Sequence, residues 1–332
     1  MKTYSVAAFV LLSLIAATFG FCAFSPHHTD QAAKDTIIHY ITTPFMPEKM
    51  EFAGEQVPLH HIDVRESMER ELIVNMNFHS STVQYLKKIT RFFPVIEPIL
   101  AENGIPDDFK YLSLIESDFM NKVSPKGATG FWQFMKGAAL DYGLEVNSEV
   151  DERYHLEKAT VAACKYLNDA YKIFDSWTMA AASYNMGKAG LSRQVKRQQS
   201  DYYYDLLLND ETMRYVYRII AVKTILNDPL KYGFKVLNSE KYGSIPYTEV
   251  EVKTSIPDWA DFAFKYQTNY KILKLLNPWL RDNKLTNASR KKYMIKIPAE
   301  GFRGDLQHRI DEEEAESIEK ESEKVHKRDV QN

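Results

Sequence analysis

Residues 105–119 read IPDDFKYLSLIESDF, a stretch that indicates an amphipathic helix with Pro106 in its first turn. The positions that recur at helical spacing are Phe109, Leu112, Glu116 and Phe119. Glu116 therefore stands where the pattern calls for a buried side chain. A buried carboxyl group keeps its proton to higher pH, which suits a general acid. The alternative is that Glu116 lies at a frayed helix end and reaches solvent.

Outward from this helix, apolar residues recur at helical spacing from about residue 64 to about residue 228. Around residues 238–245 the composition shifts to Asn, Ser and Gly, with Pro246 directly after them, which is typical of a linker. Residues 247–252 and 292–297 then alternate like strands, with two short helical patterns between them. We predict a mainly α fold, in which a large α-helical domain is followed by a small βααβ domain.

The composition excludes several classes of protein. Of the 332 residues, 45% are hydrophobic and 26% are charged, and the mean hydropathy is -0.39. These values exclude a largely disordered chain and a polytopic membrane protein. The formal net charge of -3 gives no indication of nucleic-acid binding, which usually needs a basic excess. The two cysteines are Cys22 and Cys164, so the domains after the N-terminal segment are expected to hold neither an internal disulfide nor a zinc-thiolate site.

The N-terminus predicts export. Lys2 precedes an almost wholly apolar run over residues 4–24, which is typical of a secretory signal peptide. The run is also about as long as a membrane-spanning helix, so an uncleaved anchor is the alternative. Lipid attachment at Cys22 is a third interpretation, but Phe21 stands where a small residue is expected.

Two further segments carry polar residues that could contact a ligand. Residues 121–130 form a predicted loop whose glycines would let a long ligand pass close to the backbone, and Phe131 to Phe134 are expected to open the next helix. Trp132 and Gln133 would suit a sugar, although aromatic packing explains the tryptophan equally well. Residues 178–187 predict a closely packed helix of small residues that ends at Gly187.

These segments together resemble the family 1 lytic transglycosylases, enzymes of lysozyme-like fold that cleave the glycan strands of peptidoglycan. The ordered motifs are ESDF at 116–119, GFWQ at 130–133 and AASYNMG at 181–187. DER at 151–153 and ETMRYV at 211–216 are similar to blocks of the membrane-bound D subgroup. The likeness covers about residues 92–230 and rests on five motifs in the family's order.

The resemblance implies a reaction with Glu116 as the sole acid/base. The carboxyl group protonates the oxygen between N-acetylmuramic acid and N-acetylglucosamine, then takes the proton of the muramic acid C6 hydroxyl as that oxygen closes on C1. The product is a 1,6-anhydro end, so one carboxylate suffices where most glycosidases use two. Asp118 falls on another helix face and is a poor second carboxylate.

The resemblance also implies the substrate contacts, which are Ser124, Gln133, Tyr184, Asn185 and Tyr215, the last facing the catalytic glutamate. Trp132, Ser183 and Met186 depart from the commoner family residues, which leaves the preferred chain length open. Sequence alone leaves two other functions open: a hydrolase on the same fold, and a non-catalytic cell-wall binding protein. The sequence contains no metal or cofactor motif. Peptidoglycan is the expected partner, and the bacterial periplasm or cell envelope the expected location.

The C-terminal region from Tyr247 to Pro298 resembles a LysM domain, which binds N-acetylglucosamine in glycans. Its usual opening Gly-Asp-Thr/Ser is replaced by Lys-Thr-Ser at 253–255. Sugar binding and a role in packing or spacing are therefore both open. The predicted domain limits are 1–25 signal peptide or anchor, 26–85 N-terminal extension, 86–234 lysozyme-like domain, 235–246 linker, 247–299 LysM-like domain and 300–332 charged tail.

Overall fold

The computed structural model of the protein describes residues 43–303. In this range the helices are α1 (Ile62–Asn77), α2 (His79–Glu102), α3 (Phe109–Ser117), α4 (Lys136–Asp141), α5 (Leu156–Phe174), α6 (Trp177–Met186), α7 (Lys188–Gln198), α8 (Asp210–Asn227), α9 (Trp259–Lys265) and α10 (Tyr270–Leu276). The strands are β1 (Glu51–Phe52), β2 (Glu55–Gln56), β3 (Tyr247–Val252) and β4 (Tyr293–Pro298). The predicted mainly α fold is confirmed. The predicted N-terminal signal or anchor and most of the charged tail lie outside the described residues.

The first described segment is an antiparallel hairpin, β1 with β2, that packs into the helical core. Phe52 is fully buried, and its ring meets that of Phe109 edge-on at 5.1 Å. The Glu55 carboxylate accepts hydrogen bonds from the backbone N–H groups of Trp177 and Thr178, at 2.6 and 3.0 Å. These N–H groups have no partner within α6, so Glu55 caps the positive end of that helix.

One hydrophobic core joins the hairpin to the helices from α1 to α8, with buried members from Met50 to Phe234. Helix α2 runs without a break through residues 85 and 86, where the sequence places a domain limit. The close packing predicted for the small residues of α6 is confirmed, because Ala180, Ala181 and Ala182 are fully buried. The helix ends at Gly187, whose φ of 83° lies in the left-handed region that glycine favours.

The start of α3 differs from the prediction. The helix begins at Phe109, so Pro106 precedes it and does not occupy its first turn. Residues 106–108 instead form a tighter turn, in which the N–H groups of Phe109 and Lys110 donate to carbonyls three residues earlier. The Asp108 carboxylate holds this turn by accepting hydrogen bonds from the backbone of Ala53 and from Lys223, both at 2.7 Å. Asp108 thus ties α3 to the hairpin and to α8, which a local helix signal could not reveal.

The small C-terminal unit has the predicted βααβ order. Strands β3 and β4 pair antiparallel, with Tyr247 opposite Pro298 and Val252 opposite Tyr293. Helices α9 and α10 lie between them in the chain. The segment before β3 lies against α2, because the backbone N–H of Tyr242 donates to the Lys87 carbonyl at 2.7 Å. The predicted linker is therefore docked on the helical core over this stretch.

Candidate active site

Glu116 lies in the last turn of α3, and Tyr215 of α8 faces it across the core. The Tyr215 hydroxyl donates a hydrogen bond to Glu116 Oε1. Tyr215 is buried, whereas Glu116 keeps part of its surface exposed. The glutamate thus occupies the apolar stripe, as its spacing predicts, and still reaches solvent because α3 ends one residue later, at Ser117.

The surroundings of Glu116 shift its proton affinity. Burial raises the pKa of Glu116 to about 7, although the hydrogen bond from Tyr215 and the positive charge of Arg218 act to lower the pKa. The negative charge of Glu211 adds to the rise. The carboxyl group therefore keeps its proton to a higher pH than an ordinary glutamate does. Sequence reasoning missed Arg218, although its place three residues after Tyr215 puts both on one face of α8.

Tyr184 and Asn185, at the end of α6, lie beside this pair. Burial raises the pKa of Tyr184 well above its ordinary value, and the charge of Glu116 adds to the shift. The Tyr184 hydroxyl donates to the Trp132 carbonyl at 2.8 Å. Asn185 donates to Glu211 at 3.2 Å and accepts from Thr212 at 2.7 Å, which fixes its amide at the start of α8.

Gln133 and Ser124 lie on what we call the glycine loop, residues 121–134. The predicted helix start at 131 is wrong, because α4 begins at Lys136, residues 131–133 form a turn and Phe134 pairs with Thr129 in an isolated bridge. Gln133 has a φ of 47° and its amide nitrogen donates to the Gly130 carbonyl at 2.9 Å. The Ser124 hydroxyl accepts from the backbone N–H of Ala128 at 3.0 Å. These bonds fix the loop's shape.

Trp132 belongs to the core. It is fully buried and its indole N–H donates to the Thr160 hydroxyl at 2.9 Å. Of the two interpretations that the sequence leaves open, aromatic packing is the one that the structure supports, because a fully buried ring offers no face to a sugar.

Asp118 adopts a left-handed conformation at the end of α3, with a φ of 53°. Its carboxylate accepts hydrogen bonds from the Tyr85 hydroxyl and the Lys122 ammonium group, and Lys88 binds its carbonyl at 2.9 Å. Asp118 is therefore engaged by α2 and by the glycine loop. This cluster ties the end of α3 to both elements, and the sequence pattern does not indicate it.

A cavity of about 400 Å³ lies between the helical core and the C-terminal unit. Its apolar lining includes Phe92, Phe119, Phe131, Leu275 and Trp279 and does not include Glu116. Within residues 43–303, no group of three or more His, Cys, Asp or Glu side chains is placed to hold a metal ion. The same range contains no helix with the length and apolar character needed to cross a membrane.

The two parts of the chain match two family models. Residues 94–206 match the transglycosylase SLT domain, and residues 248–301 match the soluble lytic transglycosylase C-terminal LysM-like domain. The chain therefore carries a transglycosylase SLT domain followed by a LysM-like domain, as the resemblance predicts.

Among individual proteins, the chain is similar to the membrane-bound lytic murein transglycosylase D of Escherichia coli K12. The two are 26% identical over 168 residues, which cover 49% of this chain and 37% of that protein. The chain thus matches little more than a third of this relative's length. An inactive mutant of the lytic transglycosylase Slt from Pseudomonas aeruginosa overlaps 55% of this chain and 36% of its own, with 19% identity and a TM-score of 0.36.

Proposed function

We propose that the protein is an exported peptidoglycan lytic transglycosylase that cleaves the β-1,4 bond between N-acetylmuramic acid and N-acetylglucosamine and leaves 1,6-anhydromuramic acid ends. The observation that carries the proposal is the position of Glu116, a half-buried carboxyl group in the last turn of α3 on the SLT domain that accepts a hydrogen bond from Tyr215. The E. coli protein named above is a lytic murein transglycosylase by name, which supports the same reaction.

In this mechanism one residue transfers both protons. Protonated Glu116 donates its proton to the glycosidic oxygen as the bond to C1 breaks. The resulting carboxylate, stabilised by the Tyr215 hydroxyl and the Arg218 charge, then takes the proton of the muramic acid C6 hydroxyl. The C6 oxygen bonds to C1, and Glu116 regains its starting protonation state. No water molecule is consumed.

This route requires no second carboxylate. The hydrogen bonds of Asp118 support its exclusion from the role of a second catalytic carboxylate. An inverting or retaining glycosidase would need a partner carboxylate across the bond from Glu116. The Asp118 carboxylate is occupied by Tyr85 and Lys122. Glu211 affects the pKa of Glu116, but its carboxylate is bonded to Asn185.

The proposed substrate contacts are Ser124, Gln133, Tyr184, Asn185 and Tyr215. Tyr184 is on α6 and Tyr215 on α8. The charge of Glu116 raises the pKa of both tyrosines, which supports a common site. Gln133 and Ser124 come from the glycine loop that follows α3. We place the protein in the bacterial periplasm or cell envelope, where peptidoglycan is found, and assign no metal or cofactor to the reaction.

The test is mass spectrometry of the products from purified peptidoglycan. We compare the wild-type protein with Glu116→Gln, which keeps the side chain's size and removes its exchangeable acid proton. Glu66→Gln, an exposed carboxylate of α1, is the matched control. We expect anhydromuramic ends from the wild type and the control, and a loss of at least about 100-fold in Glu116→Gln.

Each other outcome contradicts a defined part of the proposal. Reducing muramic ends from the wild type would make water the nucleophile and the protein a hydrolase. Intact strands from all three proteins, under conditions where a known muramidase cuts, would make it a cell-wall binding protein. Full activity in Glu116→Gln would assign the acid to another residue.

A further inference from the structure

The glycine loop rests directly on the backbone of residues 153 and 154. At Gly130, where φ is +80°, the Cβ atom of any other residue would lie 1.9 Å from the Arg153 carbonyl oxygen and 3.2 Å from the Tyr154 nitrogen. Only glycine fits this contact, because backbone atoms cannot give way. The position of the loop is therefore set by the chain segment that includes Arg153.

The Arg153 side chain holds the loop from the same direction. Its guanidinium Nη1 donates to the carbonyls of Gly127 and Phe134, each at 3.2 Å, on either side of Gln133 in the chain. Nε and Nη2 donate to the two carboxylate oxygens of Asp151, at 2.9 and 2.8 Å. This two-point ion pair is buried, which fixes the guanidinium plane and with it the two loop carbonyls.

The segment that carries this ion pair is bonded to the LysM-like domain through its main chain. The backbone N–H of Asp151 donates to the Trp279 carbonyl at 2.9 Å, and that of Arg281 donates to the Glu149 carbonyl at 2.8 Å. Between these two bonds, Val150 pairs with Leu280. We call residues 149–155 the interdomain segment, since they contact the glycine loop on one side and the LysM-like domain on the other.

Side chains strengthen the same junction. Val150 and Tyr154 belong to the hydrophobic core of the LysM-like domain, where Leu280 is buried beside them. The guanidinium of Arg281 lies 4.1 Å from the centre of the Tyr154 ring. Burial of apolar surface on both sides makes this a packed interface, unlike the contact of a domain on a flexible tether.

We propose that the LysM-like domain positions the glycine loop, through the interdomain segment, and so raises the turnover of the SLT domain without touching the glycan at the reacting bond. This proposal rests on the proposed function, because the loop affects the rate only if Gln133 contacts the substrate. Trp279, Leu280 and Arg281 are positioning residues in this scheme. Loss of their contact frees the loop and lowers kcat, since a contact displaced by about 1 Å is enough to slow a reaction markedly.

The experiment uses the full chain with Leu280→Asp, which places a charge in the buried junction. Leu280→Met is the conservative variant, and Phe264→Ala, 84% exposed on α9, is the matched control in the same domain. Kinetics on soluble, peptide-free glycan strands give kcat and KM, and hydrogen exchange reports on the backbone N–H groups of residues 127–134. For Leu280→Asp we expect kcat to fall about tenfold, faster exchange in the loop, and the same pH midpoint, because Glu116 is held by α3 and α8.

Arg281→Ala is the second variant, for the case in which Leu280→Asp unfolds the LysM-like domain. Its side chain is exposed, and its contacts are the Tyr154 ring and a hydrogen bond that it donates to the Pro278 carbonyl at 2.9 Å, so the domain should stay folded. We expect a smaller change in the same direction, about twofold in kcat. Leu280→Met and Phe264→Ala should match the wild type in both measurements.

The proposal is overturned if loop exchange and kcat are unchanged in both Leu280→Asp and Arg281→Ala. A rise in KM with unchanged kcat and exchange would assign the domain to glycan binding and would equally overturn positioning. If the wild type cleaves no glycan, the proposed function fails, whereas faster loop exchange in the variants would still demonstrate the coupling between domain and loop.

Discussion

Two half-buried glutamates of the SLT domain, Glu116 and Glu157, have opposite proton affinities. Burial acts to raise the pKa of both carboxyl groups. At Glu157 the His155 ring, whose Nδ1 lies 3.1 Å from Glu157 Oε2, and the charge of Lys296 outweigh burial and lower the pKa to about 2. At Glu116, a neutral hydroxyl and a more distant guanidinium leave the pKa at about 7.

The difference shows that the groups in contact with a half-buried carboxylate affect its pKa more than its degree of burial does. Glu157 stays charged and, through Lys296 of β4, joins the SLT domain to the LysM-like domain. Glu116 has no ammonium or guanidinium group in direct contact among the described residues, so it can gain and lose a proton near neutral pH. One carboxylate is suited to holding an interface and the other to proton transfer.

The largest expected effect is a loss of stability when the ion pair of Glu157 with Lys296 is removed. Lys296→Met removes a cation that is 14% exposed and leaves the Glu157 charge in the interface. We expect the free energy of unfolding at pH 7 to fall by about 2 kcal/mol, measured by urea denaturation. Because the folded-state pKa of Glu157 is lowered, the stabilisation is present above its ordinary value and is lost as pH falls toward 2. The two proteins should therefore converge in acid.

Lys292→Met is the matched control, since Lys292 pairs with Glu251 on the surface, 2.7 Å away. Exposed pairs contribute little, so this variant should leave the urea midpoint almost unchanged. Equal losses in both variants would show that burial of Lys296 adds nothing to the strength of its ion pair.

The second expected effect is a pH dependence of the reaction rate, caused by the titration of Glu116. If Glu116 is the acid, activity requires its protonated form, so the rate should fall as pH rises through its pKa of about 7. The expected loss between pH 6 and pH 8 is about tenfold. The measurement is the initial rate of anhydro-end formation on soluble glycan strands. A rate that stays flat across this interval would count against Glu116 as the acid.

The smallest expected effect is that of the Glu116 charge on the free energy of unfolding. A carboxyl group with a raised folded-state pKa favours the folded state below its ordinary pKa, and this contribution is lost as pH rises to about 7. Glu116→Gln removes this titration. At pH 8 we expect its free energy of unfolding, measured by urea denaturation, to exceed that of the wild type by about 1 kcal/mol. At pH 4 the two should agree. A variant less stable than the wild type at pH 8 would show that the negative charge of Glu116 is well compensated.

Periodicity was sufficient to predict the helical domain, the βααβ unit and the position of Glu116 on an apolar stripe, because these depend on local spacing. It failed at Pro106 and at residues 131–134, where long-range contacts decide the backbone. Asp108 bonds to the hairpin and to Lys223, and Gly130 packs on Arg153. Neither contact leaves a local signal.

For the site, sequence motifs led to Glu116 and the residues proposed around it, but the charges that tune Glu116 are on another helix. Arg218 and Glu211 affect its pKa from α8, about a hundred residues away in the chain. The junction of the two domains was equally hidden, because it joins backbone groups of residues 149–151 and 279–281 that any sequence possesses. The predicted domain limits and site roles remain predictions.

The hairpin at residues 51–56 has a practical consequence for making the protein. The segment that matches the SLT model starts at residue 94, yet Phe52 covers Phe109 and Glu55 caps α6. A recombinant fragment that starts at residue 94 would expose the apolar side of α3 and leave the first N–H groups of α6 without acceptors. The smallest fragment suitable for expression should therefore include the hairpin, from Met50 onward.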